Sequence, residues 1–349
     1  MEKNEPILGG IDPEIMQRLC NRREAIQRGA SASAAVTWGL SLGSVPVALA
    51  ALAKDVYAQA PSDILDALQF AFILENLENE FYKAVLGTSA VAAQNTAFNP
   101  VRAAIQALPN GAAIVAAVRQ IQKHEQQHAD FLRMTAIPLF GGTAPTITAN
   151  DFDFTGGNGT GTGPFARATQ EVDFLLLSAQ AFEDTGVRAY KGQAGRFLIP
   201  GNTNADVALE SALRIHSVEG RHAAKIRRIR RQRNPGDTSL RFIGYIRGGG
   251  LEAAGAGNIA NPPAGVVDAL NLIYGGASPE SNTTHVFFND VTNTVATVNT
   301  ATMSGVTVVG PGETQTTAAT MAFDEPLTKQ EVIDIVKGFI KDDPSRGLP

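Results

Sequence analysis

Glu125-Gln126-Gln127-His128 and Glu219-Gly220-Arg221-His222 are the two stretches on which the fold turns. Each interrupts an apolar stripe at helical spacing. The first stripe runs Ile114, Ala117, Ile121, then Glu125 and His128, then Leu132, inside a helix expected from Gly111 to Thr135. The second runs Ala205, Ala208, Ala212, Ile215, then Glu219 and His222, then Ile226 and Ile229, in a helix starting near Asn204. With 17 Glu and 5 His in 349 residues, chance supplies about a quarter of one Glu-x-x-His. Two occur, both in core register.

Working outward, each stretch is preceded by a helix with one carboxylate in its buried stripe. From Ser62 onward, Leu65, Leu68 and Phe72 lead to Glu75, and the same steps reach Asn79 and Tyr82. From about Thr169 to Gly192, Val172, Leu176 and Ala179 lead to Glu183, Gly186 and Tyr190. Glu78 and Glu80 fall beside the first stripe and read as solvated. The result is an internal duplication, Glu then Tyr seven residues on, followed by Glu-x-x-His. An ionised carboxylate in an apolar core costs several kcal/mol or more, so four unpaired ones are incompatible with folding. Two divalent cations cancel four glutamates, and two neutral imidazoles complete the coordination without adding charge. A Glu and a His three apart on one helix face point at a common centre.

At these residues the chain resembles the ferritin-like superfamily of carboxylate-bridged di-iron and di-manganese proteins, whose known ligand set it matches. The resemblance implies an all-α core, a four-helix bundle with one long crossover between its second and third helices. It implies terminal ligands at Glu75 and Glu183, bridging glutamates at Glu125 and Glu219, and His128 and His222 as nitrogen ligands. Tyr82 and Tyr190 correspond to hydrogen-bonding partners of the ligands. The expected cofactor is two divalent ions, Fe or Mn. The crossover falls at Pro138 to Phe165, rich in Gly, Thr, Asn and Pro, and is expected to be irregular. Within the superfamily, the likeness is to exported proteins related to plant desiccation-response proteins.

The rest of the chain divides into a leader over 1–60 and a Gly/Thr-rich elaboration over 236–349, flanking a bundle over 61–235. Gly29 to Ala53 carries no charge and is long enough to span a bilayer. Preceded by Arg22-Arg23 and followed by Ala58-Gln59-Ala60, it resembles a twin-arginine export leader, which gives a periplasmic or envelope location. The alternative is an uncleaved membrane anchor, or an arm on a partner subunit of a homo-oligomer. Beyond Pro235, Thr292 to Val309 alternates small polar and β-branched residues, as strands or a hairpin do. Thr328 and Glu331 form a capping box for a last helix, Lys329 to Ile340, expected to dock on the bundle.

Cys20 is the only cysteine, which excludes an internal disulfide and cysteine-based zinc or iron–sulfur sites. A net charge of −5 gives no global attraction for nucleic acid. The basic run Arg221, Lys225, Arg227, Arg228, Arg230, Arg231, Arg233 suits a helix C-terminus better than a nucleic-acid surface. His124 and His216 lie off the ligand register and read as surface or packing residues, and His285 has no ligand partner at helical spacing. By the resemblance, the chemistry involves dioxygen or hydrogen peroxide, as a ferroxidase or a manganese-catalase-like enzyme. The competing class is a stress-protective envelope protein whose metals only staple the bundle.

Overall fold

The structure is a computed structural model describing residues 61–199, 201–236, 254–289, 294–302 and 314–342. The leader and residues 292–293 and 303–309 of the expected strand region lie outside it. Four long helices form the core: α1 (Pro61–Leu86), α2 (Gly111–Phe131), α3 (Val172–Gln193) and α4 (Thr203–Arg233). α1 packs chiefly on α2, and α3 on α4. None of the described helices is long and apolar enough to cross a membrane.

α1 and α2 are joined through two short helices, Ala92–Ala97 and Asn99–Gln106, which the sequence reading did not anticipate. Their buried Phe98, Val101 and Ile105 cover the end of α1. Arg102 donates to the carbonyls of Ala84 and Val85 at 3.0 Å each, satisfying acceptors that the end of a helix leaves open. α2 keeps α geometry only to Phe131, not Thr135. A π-helical turn, Leu132–Ala136, follows. Pro138 has no N–H to continue the ladder, and the Ile137 N–H bonds Leu132 O, one residue further back than an α-helix requires.

The crossover is irregular apart from single 3-10 turns. It is nonetheless ordered around Asp153, whose carboxylate accepts from the N–H groups of Gly159 and Gly161 at 2.9 Å each and from Thr155. These bonds outweigh the effect of burial and hold its pKa below the usual carboxylate value. Gly159 and Gly161 adopt φ of 88° and 71°, which brings both amides round to one oxygen.

The C-terminal segment wraps α3. A helix α5 (Ala264–Tyr274), an antiparallel hairpin of β1 (Thr284–Asn289) and β2 (Thr294–Asn299), a helix α6 (Gln315–Thr320) and a last helix α7 (Lys329–Val336) follow in order. The Thr328/Glu331 capping box is present. α7 ends at Val336 rather than Ile340, because the chain then turns and bridges the crossover, with Ile340 opposite Phe152. The Asp153 N–H bonds Phe339 O at 2.8 Å, and the Asn158 N–H bonds Gly338 O at 2.7 Å. With this cover, 19 of the 22 residues of α3 are buried, so it behaves as an interior helix rather than one with a single apolar stripe.

Two buried polar networks fasten the cover. Asp184 accepts from Arg227 and Tyr274, while Arg230 donates to Gln180 and to the carbonyls of Ala254 and Gly255. Arg188 pairs with the fully buried Glu280 at 2.8 Å. Arg227 and Arg230 of the basic run are thus committed to the interior, and Arg233 pairs with Asp173.

Candidate metal centre

Halfway along the bundle the apolar core is interrupted. On one side lie Ile64, Leu68, Phe72, Leu132, Ala208 and Ala212, and on the other Leu77, Phe81, Ile114, Ile121, Phe182 and Ile226. Between the two clusters sits a layer of acid and imidazole. Glu75 is 1% exposed, Glu125, Glu183 and Glu219 are 0% exposed, and His222 is 4% exposed. His128 is half-buried. All six residues singled out by the stripes therefore meet at one buried level, one each from α1 and α3 and two each from α2 and α4.

Their atoms fall into two groups, Glu75, Glu125, His128 and Glu219, and Glu125, Glu183, Glu219 and His222. Within each, one ligand atom per residue lies within 4.8 Å of the others. Glu125 and Glu219 belong to both groups, which is where bridging carboxylates must stand. His128 Nδ1 lies 3.1 Å from Glu75 Oε2, 3.0 Å from Glu125 Oε2 and 3.2 Å from Glu219 Oε1. His222 Nδ1 lies 2.7 Å from Glu125 Oε1 and 3.2 Å from Glu183 Oε2. One ring nitrogen carries at most one proton and cannot donate to three acceptors. Bonds of about 2.1 Å at right angles around a metal set neighbouring ligand atoms about 3.0 Å apart, which is the spacing seen.

The hydrogen-bond ledger agrees. Among the described residues, Glu125 Oε1 and both Glu219 oxygens are buried without a hydrogen-bond partner. The close approaches of the two imidazoles to Glu125 Oε1 and Glu219 Oε1 are near in distance but lack hydrogen-bond direction. Three such carboxylate oxygens on residues of zero exposure are costly in a protein held together by its own groups alone. A donor set of carboxylate oxygen and imidazole nitrogen fits Fe or Mn and gives no soft sulfur ligand.

Charge in this layer is heavily perturbed. Burial raises Glu125 to about 7, against hydrogen bonds from the histidines that lower it. Glu219 is pushed well above the carboxylate range by burial and then by Glu125 and Glu75. Burial opposes charge on both imidazoles, but the carboxylates outweigh it. His222 is held at about 11 by Glu183 and Glu125, and His128 rises further under Glu75, Glu125 and Glu219. These protons occupy places that cations would take.

Tyr82 and Tyr190 touch the layer, and they do so crosswise. The Tyr82 hydroxyl donates to Glu183, and the Tyr190 hydroxyl donates to Glu75. Each tyrosine thus holds the terminal glutamate of the opposite half. Burial first, and the adjoining carboxylate second, push both phenols well above their usual pKa, so they remain donors. Asn79 ties α1 to α2, accepting from Gln122 at 2.9 Å and donating to Gln126 at 3.1 Å.

Three expectations need correction. Glu78 is not solvated: it is 5% exposed, and burial followed by the charges of Glu219, Glu183, Glu125 and Glu75 raises its pKa well above the usual value. Position 78 stands three residues after Glu75, and its counterpart in the second half, three after Glu183, is Gly186. A Cβ on Gly186 would lie 3.2 Å from Glu219 Oε2 and 3.5 Å from Glu78 Oε1. Glycine there makes room for carboxylates from the other helices. Glu80 is half-buried and paired with Lys83 at 2.8 Å.

His124 is the third. Its Nδ1 lies 2.8 Å from His222 Nε2, and the two rings stack with centroids 5.1 Å apart and planes at 11°. With His222 Nδ1 facing the carboxylates, its Nε2–H can donate to His124. Burial, then the charges of His222 and His128, lower the pKa of His124, which suits an acceptor. The off-stripe position that led to a packing reading is what lets it back His222 from outside. His216 is half-buried, and burial lowers its pKa. His285 lies 3.3 Å from Glu325, against the Phe323 ring.

No curated protein and no solved structure matches this chain. Residues 63–232 match the family model of a ferritin-like domain. That span begins in α1, ends in α4 and contains the whole carboxylate layer. On this match and on the bundle that carries it, residues 63–232 are a ferritin-like domain, with the C-terminal segment built onto its third helix.

Proposed function

We propose that this protein binds two divalent redox metals, Fe or Mn, through Glu75, Glu125, His128, Glu183, Glu219 and His222. We further propose that it carries out oxygen- or peroxide-linked chemistry there, as a ferroxidase or in peroxide detoxification. The observation that carries the reading is the sharing of Glu125 and Glu219 between two four-residue groups, with Glu125 Oε1 and both Glu219 oxygens left without hydrogen bonds. A bound pair of such ions supplies electrons and open positions for a small oxidant. The protein's own groups do the rest. Tyr82 and Tyr190 orient the terminal glutamates, His124 fixes the tautomer and tilt of His222, and the flanking apolar clusters exclude water. Glu78, whose pKa burial and the neighbouring carboxylates push well above the usual value, adds a fifth carboxyl beside this layer.

The proposal extends to the exported, desiccation-related branch and to a place in the cell envelope, supported by the arginine pair and apolar run of the leader. A second reading, metals that only staple the bundle, is favoured by the zero exposure of Glu125, Glu183 and Glu219. Elemental analysis of protein from its native host reads the metal and its stoichiometry. Stopped-flow absorbance after mixing with Fe(II) and oxygen, beside oxygen evolution from peroxide, separates the two readings. Turnover in either supports the redox function, and silence in both with two metals per chain supports the staple.

A further inference from the structure

On the α1 N-terminal side of the carboxylate layer, the four helices do not close on one another. Small side chains leave a cavity between them, at Ala71 of α1, Ala136 after α2, and Ala208 and Ala212 of α4. The centre of a water-sized sphere has about 30 Å³ to move in, at least twice what a single ordered water needs. The walls are apolar except for Tyr190, Gln193 and Ser211. Two of these three are already engaged. The Tyr190 hydroxyl donates to Glu75, and the Ser211 hydroxyl donates to Val207 O at 2.8 Å.

Gln193 is different. It is 9% exposed, and its amide Oε1 and Nε2 are both buried with no hydrogen-bond partner among the described residues. A buried amide left unpaired forfeits its hydration with nothing in return, and a leucine of similar size would avoid the loss. A donor and an acceptor side by side on the wall of an otherwise apolar cavity describe a recognition element for one neutral polar group. No lining residue is cationic, so a carboxylate would be buried unpaired. We infer that this cavity binds a small uncharged amphiphile of the alcohol class, its hydroxyl paired with the Gln193 amide and its alkyl body among the alanines. The inference does not depend on metal binding, although Tyr190 forms part of both sites.

The test uses the full chain and 1-hexanol, titrated by calorimetry, with toluene as an apolar probe lacking a hydroxyl. Wild type should bind both saturably. Gln193→Leu should weaken 1-hexanol about 3- to 10-fold, the range for one neutral hydrogen bond, while toluene stays within about twofold. Ala212→Phe, or Ala71→Leu if the first does not fold, should abolish binding of both probes by filling the space. Gln193→Leu should also raise the Tm of the ligand-free protein. Absence of saturable 1-hexanol binding in wild type, or equal weakening of both probes by Gln193→Leu, would overturn the inference.

Discussion

Loading the metal-free protein with a divalent metal should expel at least about two protons per chain at pH 7. His128 and His222 are both held as imidazolium by the surrounding carboxylates, His222 at about 11 and His128 higher. Glu125, raised to about 7, is half-protonated, and burial pushes Glu219 upward as well. A protonated group must surrender its proton to act as a ligand. The apparent affinity for the pair should therefore rise by at least about two decades per pH unit near neutrality, within the range where the imidazoles stay protonated in the free protein. Calorimetric titration in buffers of differing ionisation enthalpy reads the count directly. Release of fewer than about one proton per chain would refute the electrostatic account of the layer.

The same shifts fix the sign of metal-free stability. Glu125 has a folded pKa above its unfolded 4.5, so its contribution is fully present below pH 4.5 and lost as pH rises through about 7. Its share of that loss is on the order of 3 kcal/mol. His222, also raised, contributes fully below 6.5 and loses its share only as pH climbs through about 11. Metal-free protein should melt at lower temperature at pH 8 than at pH 5. Metal-loaded protein should show the opposite trend, because binding tightens over the same window.

Other substitutions address other parts of the design. Glu125→Ala with Glu219→Ala should abolish paired binding. Two retained metals per chain after dialysis would contradict the bridging assignment. His124→Ala should weaken metal at the His222 group by about 10- to 100-fold and leave the His128 group nearly unchanged, which a two-site titration resolves; equal loss at both would mean His124 acts only through packing. Gly192→Ala would place a Cβ 1.8 Å from Leu327 O, displacing the segment that bonds Arg188 O through the Leu327 N–H. The cost should be about 1–3 kcal/mol, with faster proteolysis within residues 314–342, and an unchanged cleavage rate would speak against that docking. Lysine at both Arg22 and Arg23 should retain the protein in the cytoplasm on cell fractionation, and unaltered export would remove the twin-arginine reading.

What the sequence disclosed and what it concealed follow from one physical distinction. Glu75, Glu125, Glu183 and Glu219 were legible because each takes the place of an apolar residue in a periodic stripe, and a stripe is a statement about one helix that needs no partner to be read. Glu78 lies three residues after Glu75 and four before Tyr82, and His124 three after Ile121 and four before His128, so both sit at helical spacing beside stripe positions that Asn79 and Glu125 already fill, and only helix packing shows that they too reach the site. The cover over α3 was hidden for the same reason. Asp184, Arg188 and Gln180 look like ordinary polar residues on the outer face of an amphipathic helix until Arg227, Arg230, Tyr274 and Glu280 are seen to meet them. One trace of the missing parts was available. Aligning the halves on Glu75 and Glu183 sets Glu78 against Gly186, and a glycine opposite a glutamate in a buried layer implies that the side chain on one helix fills the space left open by the other. The duplication is therefore unequal where it matters, since the buried carboxyl of Glu78 has no counterpart in the second half. The two candidate ligand groups, alike in composition, are not alike in their surroundings.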